Sequence, residues 1–230
     1  MRGPTVGGRG PTVSARGVDY AAIPDSGLLY SWPVNSGSGP IEDQTGTNDL
    51  SVVGGTFDDT TATWEDGWAF WADGSGDRAE AGSVISENEF TVCQWVYPTT
   101  LSPTVQDVVV NGTGANHFPR IRISDSDTWN ASLNGSFDFV EINGGSVSLD
   151  QLTLVSVRFD GATLSIVENT TETDTTSVSV TSEVSSELTW ADENGGGDFP
   201  FEGGMDWGVF YSEWKTDSEI QQIYDAHPST

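Results

Sequence analysis

The sequence predicts an all-β fold: a sandwich of antiparallel sheets, preceded by an extended basic arm and closed by one short helix. Three observations carry that expectation. Short runs rich in Val, Ile, Thr and aromatic residues recur along the chain, several alternating apolar and polar residues as half-buried strands do. Turn residues punctuate them, with 27 glycines and 10 prolines in 230 residues. Only one stretch, the last, reads as a helix.

The arm comes first. "MRGPTVGGRGPTVSARG" carries Arg2, Arg9 and Arg16 and no acid, and its Gly and Pro oppose helix and central strand alike. Residues 1–26 are therefore read as an extended anchoring arm and residues 27–230 as one sandwich domain, a length a single all-β domain commonly reaches. Strands are expected at 28–33, 49–55, 68–74, 89–98, 107–112, 119–125, 128–135, 137–144, 152–161, 162–169 and 173–181. Asp160-Gly161 and Asn134-Gly135 supply the positive backbone angles of tight hairpins. In "TDSEIQQIYDAHP", Thr216 and Glu219 fit a capping box, Ile220, Ile223 and Tyr224 form an apolar stripe, and Pro228 ends the helix.

Charge bounds the partners. Asp and Glu number 35 against 8 Lys and Arg, a formal charge of −27. From residue 18 onward 35 acids face 5 bases, hence −30, and Lys215 is the only lysine. Such a body repels itself at ordinary salt and is relieved at molar salt, where the Debye length falls to about 3 Å. The composition resembles that of proteins from extreme halophiles and their viruses; an ordinary acidic protein with calcium sites is the alternative. Nucleic acid is an unsuitable partner for the body, because phosphate contacts need positive charge. No apolar run approaches the roughly 18 residues of a membrane helix. The start shows no apolar secretory core, so export by that route is not expected. Cys93 is alone, excludes an internal disulfide, and reads as a small buried residue.

Several phrases resemble the laminin-G-like, concanavalin A-type jelly-roll family over about residues 27–226. "LLYSWPVNSGSGPIEDQTGTNDLSVVGG" is similar to its opening strand and loop, and "AFWADGSGDRAEAG" to its "FDGxxDYV" turn. "EFTVCQWVYPTTL" resembles its central strand and "LTLVSVRFDGATLSIVEN" its following hairpin. "FEGGMDWGVFYSEWKTDSEIQQIY" resembles its closing strand and helix. Trp207, Val209 and Glu213 depart from the acid, Arg and Arg usual there, so the closing strand is expected to keep a packing role and lose part of a polar network.

The resemblance implies a jelly-roll sandwich and two kinds of site. A calcium ion would be held by Asp73 of the "DG" turn and Asp206 of the closing strand, positions otherwise suited to shaping a turn and capping a strand. Glycans would be met at the rim by Trp129 and Trp190, with Asp192 and Asn194 taking hydroxyls; the alternative for both indoles is the core or an interface. Catalysis is not expected. No strand carries the E-x-D-x-(x)-E pattern of jelly-roll glucanases, and Glu168, Glu172 and Asp174 are wrongly spaced for it. His117 and His227 are isolated, and no HExxH, G-x-S-x-G or phosphate-cradling loop occurs. Sequons stand at Asn111, Asn130, Asn134 and Asn169.

These features suggest a non-enzymatic virion surface protein of a halophile virus, such as a head spike, turret or tail fibre. Arg2, Arg9 and Arg16 would anchor it, as a homo-oligomer, to other virion proteins, while the sandwich meets a host glycan or glycoprotein. The alternatives are a carbohydrate-binding module of a haloarchaeal surface protein and a purely structural decoration protein.

Overall fold

A computed structural model describes residues 22–46, 48–58, 68–82, 88–102, 104–113, 116–134, 139–179, 187–192 and 199–228. Arg2, Arg9, Arg16, Asn194 and Gly135 of the second expected hairpin lie outside the described residues. In chain order the strands are β1 (Leu28–Trp32), β2 (Ser51–Val53), β3 (Thr56–Asp58), β4 (Ala69–Asp73) and β5 (Arg78–Gly82). Next come β6 (Phe90–Pro98), β7 (Gln106–Thr113), β8 (Asn116–Ile123), β9 (Thr128–Asn134) and β10 (Phe139–Ser146). They are followed by β11 (Thr153–Phe159), β12 (Thr163–Glu168), β13 (Thr171–Ser177), β14 (Glu187–Trp190), β15 (Glu202–Tyr211) and helix α1 (Asp217–Asp225).

Two antiparallel sheets result. One runs β13-β12-β11-β6-β15-β4-β3, with β1 also paired to β15; the other runs β10-β9-β8-β7-β14-β5-β2. Most expected strands are present within a few residues. β3, β5 and β14 were not read as strands from alternation, because each is short and held mainly by its partners: β14 pairs β5 on one side and β7 on the other. The β11–β12 hairpin turns at Gly161, with φ of 88°, and Asp160 Oδ1 accepts from the Ala162 and Thr163 amides at 2.9 and 2.6 Å.

The sandwich interior is aromatic. Trp32, Phe70, Phe90, Phe118, Trp129, Phe159, Trp190 and Phe210 share one buried cluster. Trp32 meets Trp190 edge to face at 6.3 Å, and Phe118 meets Phe159 at 5.4 Å, the geometry that ring quadrupoles favour. β6 and β11 are buried along their whole lengths. The reason is that the eight-stranded sheet is covered on both faces. Phe90, Val92 and Val96 point into the sandwich, whereas Cys93 and Trp95 join a second cluster with Ile220, Ile223 and Ala226 of the helical segment.

Helix α1 seals that outer face. Thr216 caps it, accepting from Glu219 N while the Glu219 carboxylate reaches back to Thr216 N at 2.8 Å. The Trp95 ring lies 5.3 Å from Tyr224 and 4.3 Å from His227. Two cations are consumed here. Arg158 sits 4.5 Å over the Trp214 ring and pairs Glu172 and Asp217, each at 2.7 Å. Lys215, fully buried, pairs Glu213 at 2.5 Å and Glu219 at 3.3 Å and donates to Ser26 O. The departures of the closing strand are accounted for: Trp207 packs in this cluster and donates to Ser31 Oγ at 2.9 Å, Val209 packs beside it, and Glu213 serves Lys215.

Candidate functional site

With one sheet sealed by the helix, the outer face of the seven-stranded sheet is the broad sheet surface left to consider. Its side chains follow from strand pairing, since directly opposed residues share a face. Ile121 opposite Ala131, and Ala131 opposite Ile142, point into the core. The flanking rows therefore point outward. They are His117, Asn134 and Phe139; Arg120, Ser132 and Glu141; and Arg122, Asn130 and Asn143.

These rows are tied together. Arg120 grips Asp107 through Nε–Oδ1 at 2.7 Å and Nη2–Oδ2 at 2.5 Å, and Phe199 lies 5.2 Å above its guanidinium. Arg122 reaches Glu141 at 2.6 Å and Asn130 at 3.1 Å. Asn130 in turn donates to Asn143 at 3.1 Å, and His117 Nε2 meets Ser132 Oγ at 2.9 Å. The centre of the face is buried, including Asp107, Arg120, Asn130 and Ser132. Strand β10, at the sheet edge, is not. Phe139 is 57% exposed, the largest exposure among the described large apolar residues, and its ring meets the His117 edge at 6.5 Å. Phe139, Glu141 and Asn143 form an exposed strip on one side of β10, while Val140 and Ile142 turn inward. Residues two apart in a strand stand about 7 Å from one another, so the strip runs about 14 Å.

At the other end of the face, about 24 Å away across five strand spacings, a groove of about 410 Å³ is lined by Asp49, Ser51, Glu80, Ala81, Gly82 and Glu187. Glu80 there is paired with Arg78 at 2.6 Å.

The residues expected to form sites are placed differently. Trp129 and Trp190 are not rim rings: Trp129 opposes Ile123 and Trp190 opposes Ala79 and Val109, all on the core side, leaving 1% and 0% exposure. Neither indole offers a face to a sugar. Asp192 follows Trp190 into the interior and is fully buried. The polar, Gly-rich loops beside these tryptophans suggested exposure, but strand pairing turns the rings inward.

The calcium pair is likewise separated. Asp73 opposes Glu202, so Asp206 lies four residues further along β15, about 13 Å away. Asp73 shapes its turn: Oδ1 accepts from Ser75 N at 3.0 Å and from the Ser75 hydroxyl, and these bonds hold its carboxyl below the ordinary carboxylate value. Asp206 is buried, with Oδ2 2.9 Å from His227 Nε2. Calcium's six to eight oxygens cannot converge on two carboxylates so far apart, and no group of three or more His, Cys, Asp or Glu suited to a metal occurs among the described residues. Asp43 in the opening loop is internal to the fold. It accepts from the Ser31 and Thr45 amides at 3.0 Å each, from the Thr45 hydroxyl at 2.6 Å and from the Asn48 amide at 3.2 Å.

Two of the sequon asparagines, Asn111 and Asn130, are fully buried, and Asn169 Oδ1 is held by Leu154 N at 3.1 Å. Cys93 is buried, and loss of hydration pushes its thiol up to about 12. His227 joins Asp206 and Trp95 as a clasp under the helix. Phe139, the exposed aromatic of β10, is not among the residues expected from the sequence to form a site. Its signal was available, an aromatic side chain on the polar side of the alternating run "FVEIN".

A family model described as concanavalin A-like lectin/glucanases superfamily, Laminin_G_3, matches residues 73–221. No curated protein matches the sequence. Among solved structures, domain 4 of AbnA, a GH43 extracellular arabinanase from Geobacillus stearothermophilus in complex with arabinotriose, superposes with a TM-score of 0.66. It shares 15% identity over 86% of this chain and 98% of that one. The binding domain of Paraclostridial Mosquitocidal Protein 1 gives a TM-score of 0.68 at 15% identity over 87% of this chain. The receptor binding domain of botulinum neurotoxin D gives 0.65 at 14% identity over 86%. The chain spans about half, 52%, of each of these two toxin chains. At such identities the likeness is one of fold.

Proposed function

The chain belongs to the Laminin_G_3 family of the concanavalin A-like lectin/glucanases superfamily, and from that premise we propose that it is a non-catalytic glycan-binding protein whose ligand lies on β10. The observation that carries the reading is the exposed Phe139 ring beside Glu141 and Asn143. An aromatic face suits the C–H side of a sugar ring, and a carboxylate and an amide at strand spacing suit its hydroxyls. Domain 4 of AbnA, which shares the fold, was solved with arabinotriose, and two other likenesses are binding domains of toxins.

Binding is favoured over hydrolysis by the strip itself. Its single carboxylate, Glu141, is clamped by Arg122, and a glycosidase needs two carboxyl groups across the scissile bond. The test is a glycan array read with the full chain and with Phe139→Ala. Binding that drops at least tenfold in the variant, with thermal stability unchanged, supports the reading. Equal binding by both proteins removes the site, and turnover of a polysaccharide such as laminarin would replace binding with catalysis.

The mounting of this domain is a finer part of the same proposal. The arginine-bearing segment 1–26 and the −30 charge beyond residue 17 favour a virion surface protein of a salt-adapted host, with Arg2, Arg9 and Arg16 as guanidinium forks on acidic neighbours. A carbohydrate-binding module of a haloarchaeal cell surface is the second reading, favoured by the same composition. Deletion of residues 1–17 separates the two: it abolishes incorporation into particles in the first case and leaves glycan binding by a monomer intact in the second.

A further inference from the structure

Resting on the glycan-binding reading above, we infer that the β10 strip takes neutral glycans and rejects those bearing carboxylate or sulfate groups. The reason is the disposition of positive charge. Beyond residue 17 the chain has five basic side chains. Arg158, on β11 of the opposite sheet, and Lys215, between β15 and helix α1, are both buried. Arg78 is paired with Glu80 on β5, about 24 Å from β10. Arg120 is 6% exposed and held by two bonds to the fully buried Asp107.

Arg122 is the basic side chain nearest the strip, and it is engaged there with Glu141 at 2.6 Å and Asn130 at 3.1 Å. A ligand carboxylate reaching for Arg122 would have to share it with Glu141, setting two negative groups around one guanidinium. A neutral sugar meets no such conflict. With Phe139 under its C–H face, its hydroxyls donate to the Glu141 carboxylate that Arg122 holds in place. Asn143, steadied by Asn130 at 3.1 Å, adds an amide. The surplus of acids over the rest of the body opposes approach of an anion further, most strongly at low salt.

Matched probes test this with the full chain: lactose against 3′-sialyllactose, and arabinotriose against trigalacturonate, presented as multivalent conjugates at 0.15 M and 2 M salt. The expected result is capture of a neutral member with its charged counterpart at least tenfold weaker at 0.15 M. Equal or preferential capture of a charged member overturns the inference while the glycan reading stands. Capture of none of the probes together with no binding to any glycan on a broad array overturns both. Glu141→Gln, which releases Arg122, is expected to narrow the neutral-to-charged ratio about tenfold in a protein that melts at the wild-type temperature. An unchanged ratio in that variant overturns the assignment of selectivity to the Arg122–Glu141 pair.

Discussion

Arg120 and Asp107 meet side by side across β8 and β7, two nitrogens against two oxygens at 2.7 and 2.5 Å, with 7% and 0% of their side chains exposed. Such a pair is held by geometry, because each charge has left water and depends on the other. Arg120→Ala is therefore expected to destabilise the fold by about 3–5 kcal/mol by stranding Asp107. Replacing both with Met and Leu should cost less than the single change. Urea unfolding of the three proteins checks this, and a double variant weaker than Arg120→Ala would contradict it.

Lys215 gives an acid-side prediction. Its ammonium, with Ser26, lowers the Glu213 carboxyl below 4.5. For Glu219, burial raises the carboxyl, yet bonds from Thr216 and Lys215 outweigh it and the net direction is also down. Groups lowered in the folded state add stability that is full above their unfolded values and is lost as pH falls through the lowered ones. Lys215→Met should accordingly be less stable than the wild type at pH 7, and the gap should close as pH drops below 4.5. Thermal melts from pH 7 to pH 2.5 provide the measurement; a gap constant with pH would refute the linkage.

Cys93 offers a simple readout of integrity. A thiol raised to about 12 by burial is protonated at neutral pH, and only the thiolate reacts readily. Labelling with an aromatic disulfide at pH 8 should be absent in the native protein and complete in denaturant. Rapid native labelling would mean that the helix α1 side opens.

Gly208 sits where β15 bulges against β6. A Cβ there would fall 2.5 Å from Trp190 Cζ2 and 2.6 Å from Gln94 Oε1, while Gln94 Nε2 satisfies the bulge carbonyl of Asp206 at 2.7 Å. Gly208→Ala is expected to cost about 1–3 kcal/mol through overpacking, measured by denaturant midpoint. A neutral change would show that the core yields there.

Salt should raise stability. With 35 acids against 5 bases beyond residue 17, shortening the Debye length from about 10 Å to about 3 Å between 0.1 and 1 M relieves repulsion. The melting temperature is expected to climb with potassium chloride through the molar range, and an indifferent melting temperature would remove the salt-adaptation reading.

The strands that read clearly were those with their own alternation. "FTVCQWVYP" and "LTLVSVRF" declared themselves as strands, and the Thr216–Glu219 box declared the helix start, because propensity and capping are local. β14 shows the opposite case. "ELTW" has four residues and no periodicity to measure, and it becomes a strand through pairing with residues about 80 positions away on β7 and about 110 away on β5. The same distant pairing decided the tryptophans: Trp190 beside Gly-rich polar sequence looks exposed until Val109 and Ala79 stand opposite it. Asp73 and Asp206 failed as a pair because register, invisible in one dimension, sets them four residues apart along β15.

The class of fold, the family, the terminal helix and the charge contrast between residues 1–17 and the rest of the chain were legible in the linear order of residues, since these follow from composition and from signals within a few residues. Which rings are buried, which carboxylates meet a cation and which aromatic stays exposed were decided only in three dimensions. Each depends on strand register between distant segments, and a shift of one residue in a strand exchanges its inner and outer faces.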